Sequence, residues 1–280
     1  MPYLFPSDIF KRRELLSILV SRNLKIRYKN SALGFFWSLL TPGLMILMYA
    51  IFAHILKFND GRENYLQFLV SGIIIWQFTA GCLNDSLSSI VGNSNLVKKV
   101  FFPRIILPLS TALANAVNFL FTFVVLLAYL ILSKSANFHT AYWLLPAILM
   151  QVMLCIGVCC LCSTSNVFFR DTQHIVGIGS LAWFFLSPIF YSIDMQIRAI
   201  HFSNPQLAGI VFLNPMSGIL ASYRAGLMGL PITPVMTLID GSVVSLNPCW
   251  IVLSAVVCCA VMFAGFASIR SGDKYFGDIL

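Results

Sequence analysis

The stretch R-N-L-K-I-R-Y-K-N-S-A-L-G-F-F-W-S-L-L-T-P, from Arg22 to Pro42, decides how the rest of the chain is interpreted. Its first eight residues hold a dense basic cluster with one tyrosine: Arg22, Lys25, Arg27, Tyr28 and Lys29. An apolar run then opens at Gly34 and continues without a charge until Lys57. Cations gather on the cytoplasmic side of membrane spans, where anionic lipid also attracts them. The stretch therefore predicts a basic collar on the cytoplasmic face, followed by a first membrane span.

The composition of the chain is that of an integral membrane protein. Of its 280 residues, 59% are hydrophobic and only 10% are charged, with a mean hydropathy of +0.86. Soluble domains carry about 25% charged residues. The net charge of +8 does not indicate nucleic-acid binding, because the cations flank apolar runs instead of forming a basic stripe.

Residues 8–29 have the pattern of an amphipathic helix that lies on the membrane surface. At 100° per residue the apolar side chains share about half of the circumference, and most polar ones share the other half. Arg12, Arg13 and Arg27 are exceptions, because they intrude on the apolar side. A solvated basic tail is the alternative interpretation.

Six apolar segments follow, each near the roughly 20 residues that a spanning helix needs. They cover about 35–56, 65–91, 105–132, 142–168, 174–192 and 248–269. Of the 18 lysines and arginines, thirteen then fall on the side of the amino terminus and five on the other side. The positive-inside rule predicts that both termini are cytoplasmic. The fold class is thus all-α with six transmembrane helices, organised as a cytoplasmic interface segment (1–34) and a transmembrane domain (35–280).

The region between about 193 and 247 breaks this simple pattern. It stays fairly apolar but is interrupted by Pro205, Pro215, Pro231 and Pro234. The piece 213–229 is too short to span, so it predicts one or two re-entrant helices at the outer face, with Asn214 or Ser217 as a cap. An ordinary outer loop is the alternative.

The sequence offers little for catalysis. The ten acids are scattered without the spacing of a metal-bound diphosphate site, the histidines stand singly, and neither a G-x-S-x-G nor a P-loop motif occurs. The cysteines, among them Cys155, Cys159 and Cys162, lie in apolar runs without paired C-x-x-C spacing and are interpreted as packing residues. Asp85 is the one acid well inside an apolar segment, and it either pairs locally or faces a transport pathway. The chain is not expected to be an enzyme or to bind a metal.

Two loops on the predicted cytoplasmic face favour a protein partner. The first, N-S-N-L-V-K-K-V-F-F-P-R-I-I-L-P (93–108), combines lysines with phenylalanines and a Pro-Arg step, and Phe101 or Phe102 is expected to anchor it in a partner's groove. The second, V-F-F-R-D-T-Q-H (167–174), repeats aromatic residues before a charged turn. Together they predict two contacts with one cytoplasmic protein.

These segments carry a resemblance to a known family. The pattern R-N-L-K-x-R-Y-K-x-S-x-L-G-x-x-W-x-L-L-x-P (22–42) resembles the start of the membrane subunit of ABC exporters for O-antigen, capsule and teichoic-acid chains. The pattern N-x-x-L-V-K-K-V-F-F-P-R-x-x-L-P (93–108) is similar to the first coupling segment of that family. The F-R-D turn at 169–171 and K-Y-F-G-D-I-L at 274–280 add to the resemblance, which covers nearly the whole chain.

The resemblance implies a homodimer in the bacterial inner membrane, two separate cytoplasmic P-loop ATPase subunits that bind ATP and Mg, and a polyprenyl-diphosphate-linked polysaccharide as cargo. No cofactor is then expected on this chain. Contacts with the ATPase are implied for Asn93, Leu96, Lys98, Lys99, Phe101, Phe102, Pro103, Arg104, Arg170 and Asp171. The entry surface for cargo is implied at Arg22, Lys25, Arg27, Tyr28, Lys29 and Trp37. An outer gate is implied at Asn214, Pro215, Tyr223 and Arg224 within the segment 206–230.

The expected function is therefore the membrane half of an ATP-driven exporter for lipid-linked polysaccharide. A related permease for a drug or a smaller lipid is the alternative, and it predicts the same partner with a narrower path. A stand-alone secondary carrier is a rival of a different class. The scarcity of charges inside the apolar segments disfavours it.

Overall fold

The computed structural model describes residues 12–28, 36–56, 64–99, 102–200, 205–232, 235–237, 243–245 and 249–279. Long apolar helices dominate this part of the chain. The α-helices are α1 (Arg13–Tyr28), α2 (Trp37–Leu56), α3 (Tyr65–Leu87), α4 (Ser94–Lys99), α5 (Ile106–Leu132), α6 (Leu144–Phe168), α7 (Thr172–Leu186), α8 (Ile193–Ile200), α9 (Pro215–Met228), α10 (Trp250–Gly272) and α11 (Phe276–Ile279). Shorter 3-10 turns cover Val91–Asn93, Phe138–Trp143 and Pro205–Leu213.

The helices follow the predicted apolar segments closely. Within the described residues, four helices are long and apolar enough to cross a membrane: α3, α5, α10 and the continuous stretch Phe138–Phe168 that contains α6. The other two predicted segments contain α2 and the shorter α7. The mainly α-helical membrane architecture is thus confirmed, whereas the count of six spans, the side of the termini and the division at residue 34 stay predictions.

Two local differences from the sequence prediction have simple causes. The predicted segment 174–192 ends as a helix at Leu186, because Ser187 is extended and precedes Pro188, which disfavours helical backbone at the preceding residue. Between α9 and α10 the strands β1 (Val235–Thr237) and β2 (Val243–Ser245) pair antiparallel. This short hairpin is a departure from the all-α prediction.

Helix α3 occupies the centre of the bundle. In its apolar part 72% of the residues are buried, compared with 22% in α5 and in α10, which lie on the outside. It packs against α5 and α6, and Gln151 Nε2 of α6 donates a hydrogen bond to the Ile75 carbonyl of α3 over 2.8 Å. This buried amide group therefore connects two helices through a backbone acceptor, since buried polar groups need hydrogen-bond partners.

The backbones of helices α6 and α10 approach each other closely where the two helices cross. A Cβ atom added to Gly157 would lie 2.6 Å from backbone atoms of Val261 and Met262, and one added to Gly265 would lie 2.5 Å from the Gly157 carbonyl oxygen. Glycine lets two helix backbones approach closely, which favours helix association in membranes.

We expect Gly157→Ala to lower the apparent melting temperature of the detergent-purified chain by about 5–10 °C, because the added methyl meets backbone that cannot move aside. Thermal unfolding followed by intrinsic fluorescence measures the shift. Gly43→Ala in α2 is the matched control, since no atom lies within 4 Å of its added Cβ. Equal melting temperatures for the two variants would show that the crossing tolerates separation.

Helix α9 is completely buried and has well-formed ends. Asn214 caps its amino end by accepting a hydrogen bond from the Met216 N–H over 3.1 Å, and Pro215 follows as the first helical residue. Gly229 ends it with a φ of 66°, a conformation that favours glycine. The predicted short helix and its Asn214 cap are therefore observed, flanked by the 3-10 turn Pro205–Leu213.

Candidate functional site

The two segments expected to contact a cytoplasmic partner lie together at one end of the bundle. Leu19 of α1, Val97 of α4, Phe102 and Phe276 of α11 belong to one buried apolar cluster, which we call the end cluster. Its further buried members are Ile90, Ile106, Leu107 and Val167. Residues near both ends of the described chain thus lie on the same side of the bundle, the side that the charge distribution predicts to face the cytoplasm.

Arg104 connects the first predicted coupling segment to the end of α10 and to α11. Its Nη1 donates to the Asp273 carbonyl and lies 3.3 Å from Asp273 Oδ1, and its guanidinium lies 5.8 Å from the centre of the Phe276 ring. The Arg104 side chain is only 20% exposed. Arg104 therefore holds the predicted coupling segment in place through contacts within this chain.

Only some of the residues expected to contact the ATPase are exposed, and most of the exposed ones are charged. Lys98, Lys99, Arg170 and Asp171 are exposed, and Phe169, directly before Arg170, is 71% exposed. Phe102 is only 7% exposed within the end cluster, so it fills this chain's own core, and Phe101 lies outside the described residues. Leu96 and Pro103 are partly buried.

The basic segment before the first span contacts the bundle through Arg27. Arg27 Nη2 donates to a carboxylate oxygen of Asp85 in α3 and, over 3.1 Å, to Asn115 Oδ1 in α5. Asn115 Nδ2 in turn donates to the same Asp85 oxygen over 2.9 Å. This three-residue contact explains why Arg27 interrupts the apolar side of the helix, and it assigns Asp85 a local partner.

Two further polar contacts hold α1 against the bundle. Arg22 Nη2 donates to Asn93 Oδ1 over 2.7 Å, and Asn23 Nδ2 donates to Ser110 Oγ over 3.3 Å. Lys25 is exposed. Lys29 and the side chain of Tyr28 lie outside the described residues.

Two clefts adjoin the contact between Arg27, Asp85 and Asn115. The first, of about 420 Å³, is lined by Arg27, Trp37, Thr41, Pro42, Ile74, Gln77, Phe78, Gly81, Asn115, Asn118, Phe119 and Thr122. The second, of about 440 Å³, is lined by Arg22, Asn23, Ile26, Arg27, Asp85, Ser88, Ser89, Gly92, Asn93, Thr111, Ala114, Asn115 and Asn118. The first cleft offers aromatic faces and the second offers cations and hydroxyl groups. Arg27, Asn115 and Asn118 line both.

The residues expected to form the outer gate belong to α9 or cap its amino end. Asn214 also accepts from Trp183 Nε1 of α7 over 2.8 Å, and Tyr223 is completely buried against Phe119 and Phe123 of α5. Arg224 is 4% exposed, so it lies inside the chain and not at its outer surface. Whether these residues form a gate stays a prediction.

Arg224 holds three carbonyl groups from two other parts of the chain. Its Nη1 donates to the Pro188 carbonyl over 2.6 Å, and its Nη2 donates to those of Ile189 and Phe68 over 2.9 and 3.1 Å. Its guanidinium carbon lies 3.4 Å from the centre of the Phe68 ring. The side chain therefore fastens α9 to α3 and to the turn after α7.

Sequence reasoning missed Asn115, Asn118 and the contacts of Asp273 and Phe276 with Arg104. A signal for the first two existed, because asparagines at positions 115 and 118 are polar residues within the apolar segment 105–132. Polar side chains in such segments commonly face the bundle interior or a cavity. Nothing local to residues 273–276 indicates a contact with a residue more than 160 positions earlier.

The fold and the clefts define a class: a polytopic α-helical membrane protein with polar clefts beside a basic surface helix. The chain belongs to the ABC-2 type transporter family, whose profile matches residues 14–228. It is 32% identical to the O-antigen export system permease protein RfbA of Klebsiella pneumoniae over 212 residues, which is 75% of this chain and 79% of that protein. It is 31% identical over 224 residues to the protein of the same name from Myxococcus xanthus, covering 78% and 82% of the two chains. The recognition of an O-antigen export permease relative is thereby confirmed.

Proposed function

We propose that this chain is the transmembrane subunit of an ATP-driven exporter that moves a lipid-linked, O-antigen-like polysaccharide from the cytoplasm across the bacterial inner membrane. The similarity to the two O-antigen export permeases, which spans three quarters of the chain or more, carries this proposal. The two clefts support it, since their chemistry fits both parts of such a cargo.

The polar cleft suits the charged end of the cargo. Arg22 and Arg27 present guanidinium groups there, and guanidinium groups bind phosphate oxygens in a bidentate manner. The neighbouring cleft suits the sugars, because the exposed Trp37 offers an apolar ring face, Phe78 and Phe119 contribute to the apolar lining, and Gln77 and Thr122 offer hydrogen bonds. Such a mixture allows contact without the tight binding that would stop movement.

The exposed surface at Lys98, Lys99, Phe169, Arg170 and Asp171 is the proposed contact with the ATPase subunit. That subunit would bind ATP and Mg, and its closure would push on α4. The end cluster supports the underside of α4 through Val97, so the push would reach α1 and α6 together. Motion transmitted in this way needs packed, rigid elements.

A homodimer is part of the proposal. Along α7 the side chains of Ile175, Ile178, Leu181 and Phe185 are 58–74% exposed. Gly177 and Gly179 on the same helix have no neighbour within 4 Å of an added Cβ. An open helix surface with small residues supports close packing against a second copy, which would place the transport path between two protomers.

The experiment that tests the proposal combines gene deletion with transport. In a strain lacking this chain, we expect lipid-linked glycan to accumulate on the cytoplasmic side of the inner membrane and surface glycan to disappear. Re-expression of the chain should reverse both effects. In inverted membrane vesicles, uptake of the labelled lipid-linked glycan should require ATP and stop with vanadate. Unchanged surface glycan after deletion, with altered drug or small-lipid efflux, would favour the narrower permease.

A further inference from the structure

We infer that Asp85 and Asn115 form an internal latch on Arg27, and that the diphosphate headgroup of the cargo opens this latch by taking Arg27 from Asp85. The inference rests on the proposed function, because the headgroup belongs to the cargo proposed there. It adds a regulated step to cargo entry. The carboxylate of Asp85 occupies the position on Arg27 that the diphosphate must take.

The latch joins three separate elements at one point. Arg27 lies at the end of α1, Asp85 near the end of α3 and Asn115 in α5. Arg27 reaches both partners through the same nitrogen, Nη2, and Asn115 Nδ2 reaches the carboxylate oxygen that Arg27 also holds. Opening the contact would therefore release α1 from α3 and α5 at this position.

The two charged members are placed so that they can separate. The Arg27 side chain is 37% exposed and that of Asp85 is 40% exposed, and ion pairs at this exposure are screened by water and contribute little net stability. A diphosphate carries more negative charge than one carboxylate and offers several acceptor oxygens. It is therefore a stronger partner for a guanidinium than Asp85 is.

Asn115 is the fixed part of the latch. It is 5% exposed, and its Nδ2 also donates to the Thr111 carbonyl over 3.1 Å. Gly81 of α3 leaves the space that Asn115 occupies, since an added Cβ would lie 2.7 Å from Asn115 Oδ1. When Arg27 leaves, Asn115 can still donate to Asp85, so the carboxylate keeps one hydrogen bond and the latch can close again.

The position of the latch connects cargo binding with the coupling segment. Arg27 and Asn115 line both clefts, so a headgroup in the polar cleft meets Arg27 at the boundary of the aromatic cleft. Arg22, the second cation of the polar cleft, is bonded to Asn93 directly before α4. A headgroup that binds both arginines competes with Asp85 at one and with Asn93 at the other.

The test is equilibrium binding of a labelled polyprenyl diphosphate to the full chain in lipid nanodiscs, with inorganic pyrophosphate as a second probe. Asp85→Asn keeps the shape and the hydrogen bonds of the latch but removes the competing charge, so we expect about two- to fivefold tighter binding. Arg27→Gln removes the group that both anions need, so we expect about tenfold weaker binding. Glu14→Gln and Arg13→Gln, exposed positions on α1, are the matched controls and should leave the affinity unchanged.

The opposite directions of the two effects separate a latch from a merely structural contact. If both variants weaken binding, or if neither differs from its control, the latch is overturned while the proposed cargo stands. If polyprenyl diphosphate fails to bind the wild-type chain and Asp85→Asn alike, the proposed cargo is wrong and the inference falls with it, even when pyrophosphate binds. The same pattern of shifts with pyrophosphate and with the lipid would show that the headgroup alone opens the latch.

Discussion

Replacing Arg224 with alanine is expected to lower the apparent melting temperature by about 10 °C and to abolish export. The substitution leaves the buried carbonyls of Pro188 and Ile189 without the donors that Arg224 supplies to them. Each buried acceptor left without a partner costs about 1–3 kcal/mol, and the loss of the guanidinium over the Phe68 ring adds to this. Export should fail because α9 loses its attachment to α3 and to the turn after α7.

Two further variants make this prediction specific. Arg224→Lys should be nearly as damaging as alanine, because an ammonium group cannot supply the planar fork that serves Pro188, Ile189 and Phe68 at once. Gly72→Ala should also destabilise the chain, since its added Cβ would lie 2.6 Å from Arg224 Nη2. Because both positions act through one contact, the double variant should lose less than the sum of the two losses.

Lys134→Ala, at an exposed position, is the control for the loss of a cation. Melting temperature in detergent and surface glycan in the complemented deletion strain are the two measurements. An Arg224→Ala chain that melts like the wild type and exports normally would mean that the three carbonyls find other donors. Additive losses for Gly72→Ala and Arg224→Ala would mean that the glycine serves a different contact.

Reversing two charges on the proposed coupling surface is expected to separate export from folding. Lys98→Glu with Lys99→Glu should reduce export at least about tenfold, because a partner surface that receives two lysines is expected to be acidic, and like charges placed across an interface cost several kcal/mol. The fold should survive, since both lysines are exposed at the end of α4 while the buried Val97 anchors its underside. Co-purification of the ATPase subunit and surface glycan are measured together with the melting temperature.

The matched control reverses Arg12 and Arg13, which are exposed cations on the same predicted side of the membrane. That variant should keep the ATPase subunit and most of the export. If the variant at 98 and 99 retains its partner and exports at the wild-type rate, α4 is not the coupling element. The exposed turn at Phe169, Arg170 and Asp171 would then be the surface to test.

The sequence predicts the positions of most helices because apolar runs and prolines act locally. The segment 105–132 corresponds to α5 (Ile106–Leu132), and the Asn214-Pro215 pair marks the start of α9. Both signals depend on a few neighbouring residues, namely hydropathy in the first case and capping with a fixed proline φ in the second.

The partners of the functional side chains are not local, so periodicity alone does not identify them. Arg27 and Asp85 are 58 positions apart, and Arg224 bonds a carbonyl 156 positions earlier. The helical pattern shows that Arg27 lies on the wrong side of an amphipathic helix, but not which acid compensates it. The composition of 93–108 likewise offers Phe101 or Phe102 as the anchor in a partner's groove, but it does not show that the packing of α1, α4 and α11 buries Phe102 within this chain.

The short length of α7 has a consequence for the surrounding lipid. Its fifteen residues rise about 22 Å, compared with the roughly 30 Å of a typical hydrocarbon layer. The carbonyls at its end already have donors, because Tyr191 Oη bonds that of Phe185 and Gln196 Nε2 bonds that of Leu186. The sequence predicts a span here, and a bilayer that matches a helix of this length thins locally at a modest elastic cost. On the part of α7 that a second copy does not cover, we therefore expect a hydrocarbon layer about 8 Å thinner than usual, which would shorten the apolar barrier beside the path of the sugar chain.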